Sequence, residues 1–299
     1  MSILRLATRR SPLALSQAQY VQDRLAQIGV ASELVHIETS GDRHHSAPLH
    51  SIGGQGVFAI EIQGAVLDGF ADVTVHSAKD LPSVTPEGLI LESVPERRDP
   101  ADVLVGRSLA GLGPGATVAT GSPRRRALLL ERRPDLRMVE LRGNMATRLR
   151  AVGTGGIDAV VAAAAALERL GFSDLVRERL DPSWFVPQVG QGSIALEARV
   201  DDSATRRALT SINDAGAKLA LDTERAFLEE LGTGCTIPAG ANAVVNGTSI
   251  SLRGVMLAID GSRSVRGEME GDEPRSLGLE LARSLRDDMD GASLPGWER

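Results

Sequence analysis

Short hydrophobic runs alternate with amphipathic stretches along most of this chain, and the alternation predicts strands that are followed by helices. Residues 3–8 form the first predicted strand, and apolar positions at helical spacing over 15–28 predict the first helix. Ser11 is placed to cap that helix, with Pro12 at its first position. Strands that alternate with helices in this way indicate an α/β fold built on largely parallel sheets.

The same alternation continues to the C-terminus. Further strands are predicted at 33–39, 71–76, 89–94, 116–120, 136–141, 157–161 and 193–199, and three short strands after Cys235 with a turn at Asp260-Gly261. Further helices are predicted at 57–68 and 124–133, around Arg148, over the alanine-rich run to Arg169, in the segment up to Leu231, and at 275–288. The polar stretch 40–56 is long for a structureless connection, which favours a functional or mobile role.

One local pattern occurs twice. Residues 6–15 and 118–128 both have a strand end, a threonine, a polar turn, a Ser-Pro pair and the start of a helix. A helix start of this kind offers free N–H groups and a positive dipole end to an anion. The two segments therefore predict anion-binding jaws, one in each of two lobes. Chance similarity between short Ser-Pro caps is the alternative.

Composition adds a concentration of arginine. The chain has 299 residues and a net charge of -6, which argues against non-specific binding of nucleic acid. Lys79 and Lys218 are the only lysines, so a genomic preference for arginine codons could explain the total. That preference does not explain clustering, and a cluster of guanidinium groups indicates a small polyanionic ligand. The clustered arginines are Arg124, Arg125, Arg126, Arg132, Arg133, Arg137, Arg142, Arg148 and Arg150.

The single cysteine, Cys235, lies in the glycine-rich stretch 231–240 between a predicted helix and a predicted strand. A lone cysteine excludes an intrachain disulfide, which fits a reducing compartment. Its thiol could act as a nucleophile or as a covalent attachment point, but only as the thiolate. A small buried hydrophobic residue is the alternative interpretation.

Six motifs, in order and at compatible spacing, resemble the porphobilinogen deaminase (hydroxymethylbilane synthase) family from Arg5 to the last helix. They are LRLATRRSPLAL at 4–15, VHSAKDLP at 75–82, GSPRRR at 121–126, LRGN at 141–144 with TRL at 147–149, VGQG at 189–192, and GCTIPAG at 234–240. The resemblance implies two periplasmic-binding-protein-like α/β lobes and a small α+β C-terminal domain. The expected boundaries are 1–96 with 190–212 for the first lobe, 97–189 for the second, and 213–299 for the third domain.

The resemblance also implies a reaction. Four porphobilinogen molecules would be joined head to tail with loss of ammonia, and water would release the linear tetrapyrrole hydroxymethylbilane. A dipyrromethane cofactor would be attached covalently to Cys235 through a thioether, as an anchor and primer. Asp80 matches the catalytic aspartate of the family.

Other residues match family positions that hold the acetate and propionate groups of the pyrroles. Cofactor binding is expected from Lys79, Asp80, Ser122, Arg124, Arg125, Arg148 and Cys235. Substrate binding is expected from Arg9, Ser11, Thr120, Arg142, Asn144, Arg169 and Gln191. Ser51 and Gln55 stand where many family members have lysines, which puts the contribution of that loop in doubt. The resemblance suggests a monomer, and no metal-ligand spacing is present.

Two other functions remain open on the residues alone. A two-lobed solute-binding module would bind anions without catalysis, and a cysteine hydrolase would use His76 as its base. Residues 1–10 contain no signal-peptide core, and no apolar run is long enough to span a membrane, so we expect a soluble cytoplasmic protein without nucleic-acid or membrane partners.

Overall fold

The computed structural model describes residues 3–39, 59–141, 143–232 and 237–297. The chain divides into two units, residues 1–98 with 193–221 and residues 99–192 with 222–299. The three-domain boundaries expected from the sequence stay a prediction, and the expected loop at 40–56, with Ser51 and Gln55, lies outside the described residues.

The first unit is built on a mixed five-stranded sheet in the order β2-β1-β3-β10-β4. Its strands are β1 (Leu4–Thr8), β2 (Ser32–His36), β3 (Val73–Ser77), β4 (Leu89–Ser93) and β10 (Ile194–Arg199). Its helices are α1 (Pro12–Gln27), α2 (Ile60–Leu67), α6 (Ser203–Thr210) and the first turns of α7 (Ala215–Leu231). Strands β1, β2 and β3 run parallel, whereas β10 is antiparallel to both of its neighbours.

Helix α1 begins at its predicted cap and packs through the predicted apolar positions Ala18, Val21 and Leu25, whereas Ile28 at its end is exposed. Ser11 Oγ accepts a hydrogen bond from the Ala14 N–H at 3.3 Å, and Pro12 occupies the first turn. On one face of the sheet, α1 buries Val21 and Leu25 in a core with Leu6 of β1. Adjacent strand residues point to opposite faces, so Ala7 instead joins the core on the α2 side.

The second unit contains another mixed five-stranded sheet, in the order β7-β6-β8-β5-β9. Its strands are β5 (Asp102–Gly106), β6 (Thr117–Ala119), β7 (Arg137–Val139), β8 (Ala159–Ala163) and β9 (Val176–Arg179). Its helices are α3 (Pro123–Arg132), α4 (Met145–Arg150) and α5 (Ala164–Arg169). Strands β6, β7 and β8 are parallel, and β5 is antiparallel to β8 and β9.

A three-stranded antiparallel sheet completes the second unit. Its strands are β11 (Ala239–Asn246), β12 (Ser249–Leu257) and β13 (Ser264–Gly271), and helix α8 (Pro274–Arg283) follows. Val255 and Leu257 of β12 share a core with Leu128 of α3, so this sheet packs on the arginine-bearing helix. Gly261, in the predicted β12–β13 turn, permits that approach because a Cβ there would lie 2.7 Å from Ala127 O.

The predicted α/β class is confirmed, with two mixed sheets and a small C-terminal sheet. Two strands were not predicted. Strand β5 begins with a charged residue, Asp102, and β9 alternates charged with apolar residues at a sheet edge. The largely parallel arrangement is correct only for the first three strands of each sheet.

The contact between α8 and α7 gives a stability prediction. An added Cβ at Gly278 would lie 2.4 Å from Thr223 O and 2.7 Å from Ala226 Cβ, both on α7. We expect Gly278→Ala to lower the free energy of unfolding by about 1–3 kcal/mol through overpacking, measured by urea denaturation. Gly64→Ala on α2 is the control, since nothing lies within 4 Å of its Cβ. The control should raise stability by roughly 0.5–1 kcal/mol, and equal effects would contradict the packing argument.

Candidate active site

The predicted catalytic residue, Asp80, lies at the C-terminal end of a central strand. Strand β3 ends at Ser77, and a single 3-10 turn, Ala78–Asp80, follows. The Ala78 N–H donates to Ser193 O at 3.0 Å, and the Ala78 side chain is buried in a core with Leu81. These contacts fix the turn to the core of the first unit, while the Asp80 side chain itself stays half-buried.

The other predicted residues of the first unit lie at the same edge of the sheet. Arg9 and Ser11 follow β1, which runs parallel to β3, so both strands deliver their C-terminal ends to one side. Gln17 of α1 donates from Nε2 to Ser77 Oγ at 2.7 Å and joins this helix to the end of β3. Arg9, Ser11, Lys79 and Asp80 therefore lie at one edge of this sheet.

His76 lies directly behind this turn and is almost fully buried. Its Nε2 has no hydrogen-bond partner among the described residues and lies 3.6 Å from Glu197 Oε2. Glu197 is buried as well and accepts from Gln63 Nε2 and Thr74 Oγ1 at 2.9 and 3.2 Å. Burial, with the positive charge of Arg9, lowers the pKa of His76 to about 3, so the imidazole is neutral near neutral pH.

The arginine helix of the second unit begins at a formed cap. Ser122 Oγ accepts from the Arg125 N–H at 3.4 Å, and Thr120 Oγ1 accepts from the Ser122 N–H at 3.2 Å. This start brings Arg124 and Arg125 inward, and both side chains are buried. Arg126, which follows them, is exposed.

Both buried guanidinium groups meet one carboxylate. Arg124 Nη2 donates to Asp102 Oδ2 at 2.8 Å, while Arg125 donates to Oδ1 from Nε at 2.9 Å and from Nη2 at 2.7 Å. Burial alone would raise the pKa of the Asp102 carboxyl, but the two arginines outweigh it and lower that pKa to about 2. Asp102 is therefore ionised. It was not identified from the sequence as a site residue, because it closely follows a polar, proline-bounded stretch that resembles a linker.

The glycine-rich turn at 189–192 borders this cluster. Gln191 is fully buried and donates from Nε2 to Pro100 O at 2.7 Å and to Asp102 Oδ1 at 3.0 Å. Arg169 Nη2 donates to Gly192 O at 2.8 Å. The structure thus brings these two predicted substrate-binding residues to the same turn, with Gln191 in contact with the cluster.

Glu224 of α7 is another buried carboxylate that the sequence did not reveal. Its Oε2 accepts from the Gly190 N–H at 2.7 Å, and its Oε1 accepts from the Ala243 N–H of β11 at 2.8 Å. Two backbone donors offset the cost of burying this group. A buried glutamate within an amphipathic helix carries no local pattern that distinguishes it from a solvated one.

The remaining predicted residues are less enclosed. Asn144 is exposed and caps α4 by accepting from the Thr147 N–H at 3.0 Å, and Arg148 Nε donates to Gly143 O at 2.9 Å. Arg142 and Cys235 lie outside the described residues. No group of three or more His, Cys, Asp or Glu side chains in the described ranges could hold a metal ion. No helix in those ranges is long and apolar enough to cross a bilayer.

Comparisons with known proteins identify the class. Residues 4–207 match the family model described as porphobilinogen deaminase, dipyromethane cofactor binding domain, and residues 218–287 match that of the porphobilinogen deaminase C-terminal domain. The chain is 45% identical over 298 residues to the porphobilinogen deaminase of Roseiflexus sp. (strain RS-1), with 97% of this chain and 98% of the relative covered. It is 42% identical over 288 residues to the enzyme of Trichlorobacter lovleyi, with 94% and 92% covered.

Among solved structures, the chain is similar to a periplasmic substrate-binding protein of an ABC transporter from Coxiella burnetii. The TM-score is 0.44 at 14% identity, with 72% of this chain and 94% of that chain covered. The sequence relatives decide the family. The chain belongs to the porphobilinogen deaminase family, enzymes of tetrapyrrole synthesis with a dipyrromethane cofactor-binding domain. The expected family, function and cofactor are confirmed, and the solute-binding and hydrolase alternatives are set aside.

The environment of His76 gives a pH prediction. Its folded-state pKa of about 3 lies below the ordinary value of 6.5, so the unfolded chain binds a proton that the folded chain does not. The stability that the neutral, buried imidazole contributes is fully present above pH 6.5 and is lost as the pH falls toward 3. Between pH 6 and pH 4, we expect the free energy of unfolding of the wild type to fall by up to about 1.4 kcal/mol per pH unit more than that of His76→Gln. Urea denaturation at each pH measures this difference. Parallel pH profiles for the two proteins would contradict the buried, neutral imidazole.

Proposed function

We propose that this protein condenses four porphobilinogen molecules head to tail, with loss of one ammonia per condensation, and that water releases the product as hydroxymethylbilane. One observation carries the residue-level assignment. A carboxylate, Asp80, stands at the C-terminal end of β3, and the capped start of α3 carries the two buried guanidinium groups of Arg124 and Arg125. A cationic intermediate requires the first group, and polycarboxylate pyrroles require the second.

The cofactor suits the residues at the start of α3. Arg124 Nε is buried with no hydrogen-bond partner among the described residues, and two guanidinium groups share the single carboxylate of Asp102. A ligand carboxylate would complete this set. When bound, the dipyrromethane supplies a covalently held pyrrole to which the growing chain is joined, and we assign its thioether anchor to Cys235.

The carboxylates of the pyrroles set the remaining roles. Each pyrrole carries an acetate and a propionate, so every condensation adds negative charge that arginine side chains can pair bidentately. The cofactor-binding set is Lys79, Asp80, Ser122, Arg124, Arg125, Arg148 and Cys235. The substrate-binding set is Arg9, Ser11, Thr120, Arg142, Asn144, Arg169 and Gln191.

Asp80 acts on the reacting atoms. The C–N bond of the substrate aminomethyl group breaks, ammonia leaves, and a cationic methylene-pyrrole remains. The Asp80 carboxylate accepts from the pyrrole N–H groups and stabilises this charge. A carbon–carbon bond then forms at the free α-carbon of the preceding ring, and the proton lost from that carbon can pass through Asp80.

The proposal extends to the setting of the enzyme. It acts as a monomer in the cytoplasm, and porphobilinogen is its only partner in the reaction. We propose no nucleic-acid partner, because a protein with a net charge of -6 would repel a polyanion.

Intact mass tests the anchor. The purified protein is expected to be heavier than its sequence by two porphobilinogen units less two ammonias, and to react with Ehrlich's pyrrole reagent. Cys235→Ser should lose both the added mass and the colour, because no other thiol is present. A Cys235→Ser protein that keeps the mass increase would refute the anchor.

Asp80→Ala tests the catalytic assignment. We expect loss of about 10²–10⁴-fold in the rate of porphobilinogen consumption, because general acid–base and electrostatic help are both removed. Far-UV circular dichroism and the melting temperature should stay close to wild type, since Asp80 is half-buried on a turn. Asp68→Ala, at the exposed end of α2, is the control and should turn over normally. Full activity of Asp80→Ala would remove this residue from the mechanism.

A further inference from the structure

The charges around Asp102 do not balance. Asp102 is fully buried at the start of β5, and Arg124 and Arg125 are also buried. Among the described residues, one carboxylate therefore serves two guanidinium groups, and the cluster that these three side chains form holds one positive charge in excess. Burying an uncompensated charge is costly unless an anion joins it. Arg124 Nε, which is buried and has no hydrogen-bond partner among the described residues, indicates a place where such an anion could be held.

Asp102 also fixes the geometry of both arginines. Each of its two oxygens accepts from a different arginine: Oδ2 accepts from Arg124, and Oδ1 accepts from Nε and Nη2 of Arg125. Backbone carbonyls hold further nitrogens: Arg124 Nη1 donates to Val186 O at 2.6 Å, and Arg125 Nη1 donates to Val161 O at 3.4 Å. Charge-assisted bonds of this kind lock planar guanidinium groups in orientation as well as in place.

We propose that Asp102 is a positioning residue of the cofactor site, which holds Arg124 and Arg125 in place and leaves one positive charge for one carboxylate of the cofactor. This inference rests on the proposed function. Asp102 acts through the arginines and does not touch the reacting atoms. Its charge is what distinguishes the role from ordinary packing, because an uncharged residue of the same shape would leave two positive charges in excess.

The first unit provides a matched control. Asp72 also lies between two arginines, with Oδ1 at 2.8 Å from Arg5 Nη2 and 3.1 Å from Arg199 Nη2. Arg199 is paired with Asp202 as well, at 3.1 Å, so two carboxylates balance two guanidinium groups there. Asp72→Asn therefore removes the same chemical group from a balanced network that lies outside the proposed site.

The first experiment measures how far cofactor binding stabilises the protein. Apoprotein, prepared from a host that makes no porphobilinogen, is compared with holoprotein by differential scanning calorimetry for the wild type, Asp102→Asn and Asp72→Asn. The cost of a buried charge grows faster than the charge itself, so neutralisation by the cofactor should raise the melting temperature more in Asp102→Asn than in the wild type. Asp72→Asn should show the wild-type difference. An unchanged difference in Asp102→Asn would overturn the charge argument.

The second experiment uses Asp102→Glu, which keeps the charge and should fold even if Asp102→Asn does not. Its longer side chain displaces both guanidinium groups, and a displacement near 1 Å can cost about 10²-fold in rate. We expect kcat to fall by roughly 10- to 100-fold per mole of bound cofactor while KM stays within about twofold. The cofactor content by intact mass and the apo–holo melting difference should match the wild type. Wild-type kcat in this variant would show that Asp102 does not position the arginines.

Cys235→Ser, prepared in parallel, separates the two levels of the proposal. If it still carries the cofactor mass, the anchor in the proposed function is wrong. If it carries none while Asp102→Glu turns over normally and Asp102→Asn shows the wild-type melting difference, the proposed function stands and only the role of Asp102 is wrong.

Discussion

The second unit depends on the pairing of one buried aspartate with two buried arginines. Asp102 begins β5, and Arg124 and Arg125 begin α3, so the pairing joins a strand of the five-stranded sheet to the helix that also carries the C-terminal sheet. Removing one partner from such a cluster leaves a buried charge without compensation, which typically costs more than the pair itself contributes. The cluster therefore fixes the helix start at the place where an anion is expected to bind.

Much of the fold follows from local signals. The caps at Ser11 and Ser122 form as predicted, because a serine followed by proline restricts the backbone over a few residues regardless of distant contacts. Strand β5 escapes prediction because its first residue is charged, and only arginines about twenty residues later in the chain make that charge tolerable. The direction of β10 is also hidden, since hydrophobic pattern does not distinguish parallel from antiparallel pairing.

In the candidate site, too, some features could be predicted from the sequence and others could not. Residue types and motif order were enough to select Asp80, the arginines and Cys235 as candidates. Partnerships were not predictable, because Glu224 and Glu197 look like ordinary polar positions until the fold surrounds them with donors. Gln191 is similar: its motif marks it for substrate binding, yet its side chain contacts Pro100 and Asp102. Burial and long-range pairing are properties of the folded chain and leave no mark on local sequence.

The position of β10 bears on how the protein emerges from the ribosome. The five-stranded sheet of the second unit is encoded contiguously, from β5 to β9, whereas that of the first unit needs β10 between β3 and β4. The N-terminal sheet is therefore completed only after the whole of the later sheet has been synthesised. Until then β3 and β4 expose unpaired edges, which are sites for aggregation and for chaperone binding. The sheet whose strands are synthesised first is thus the second of the two five-stranded sheets to be completed.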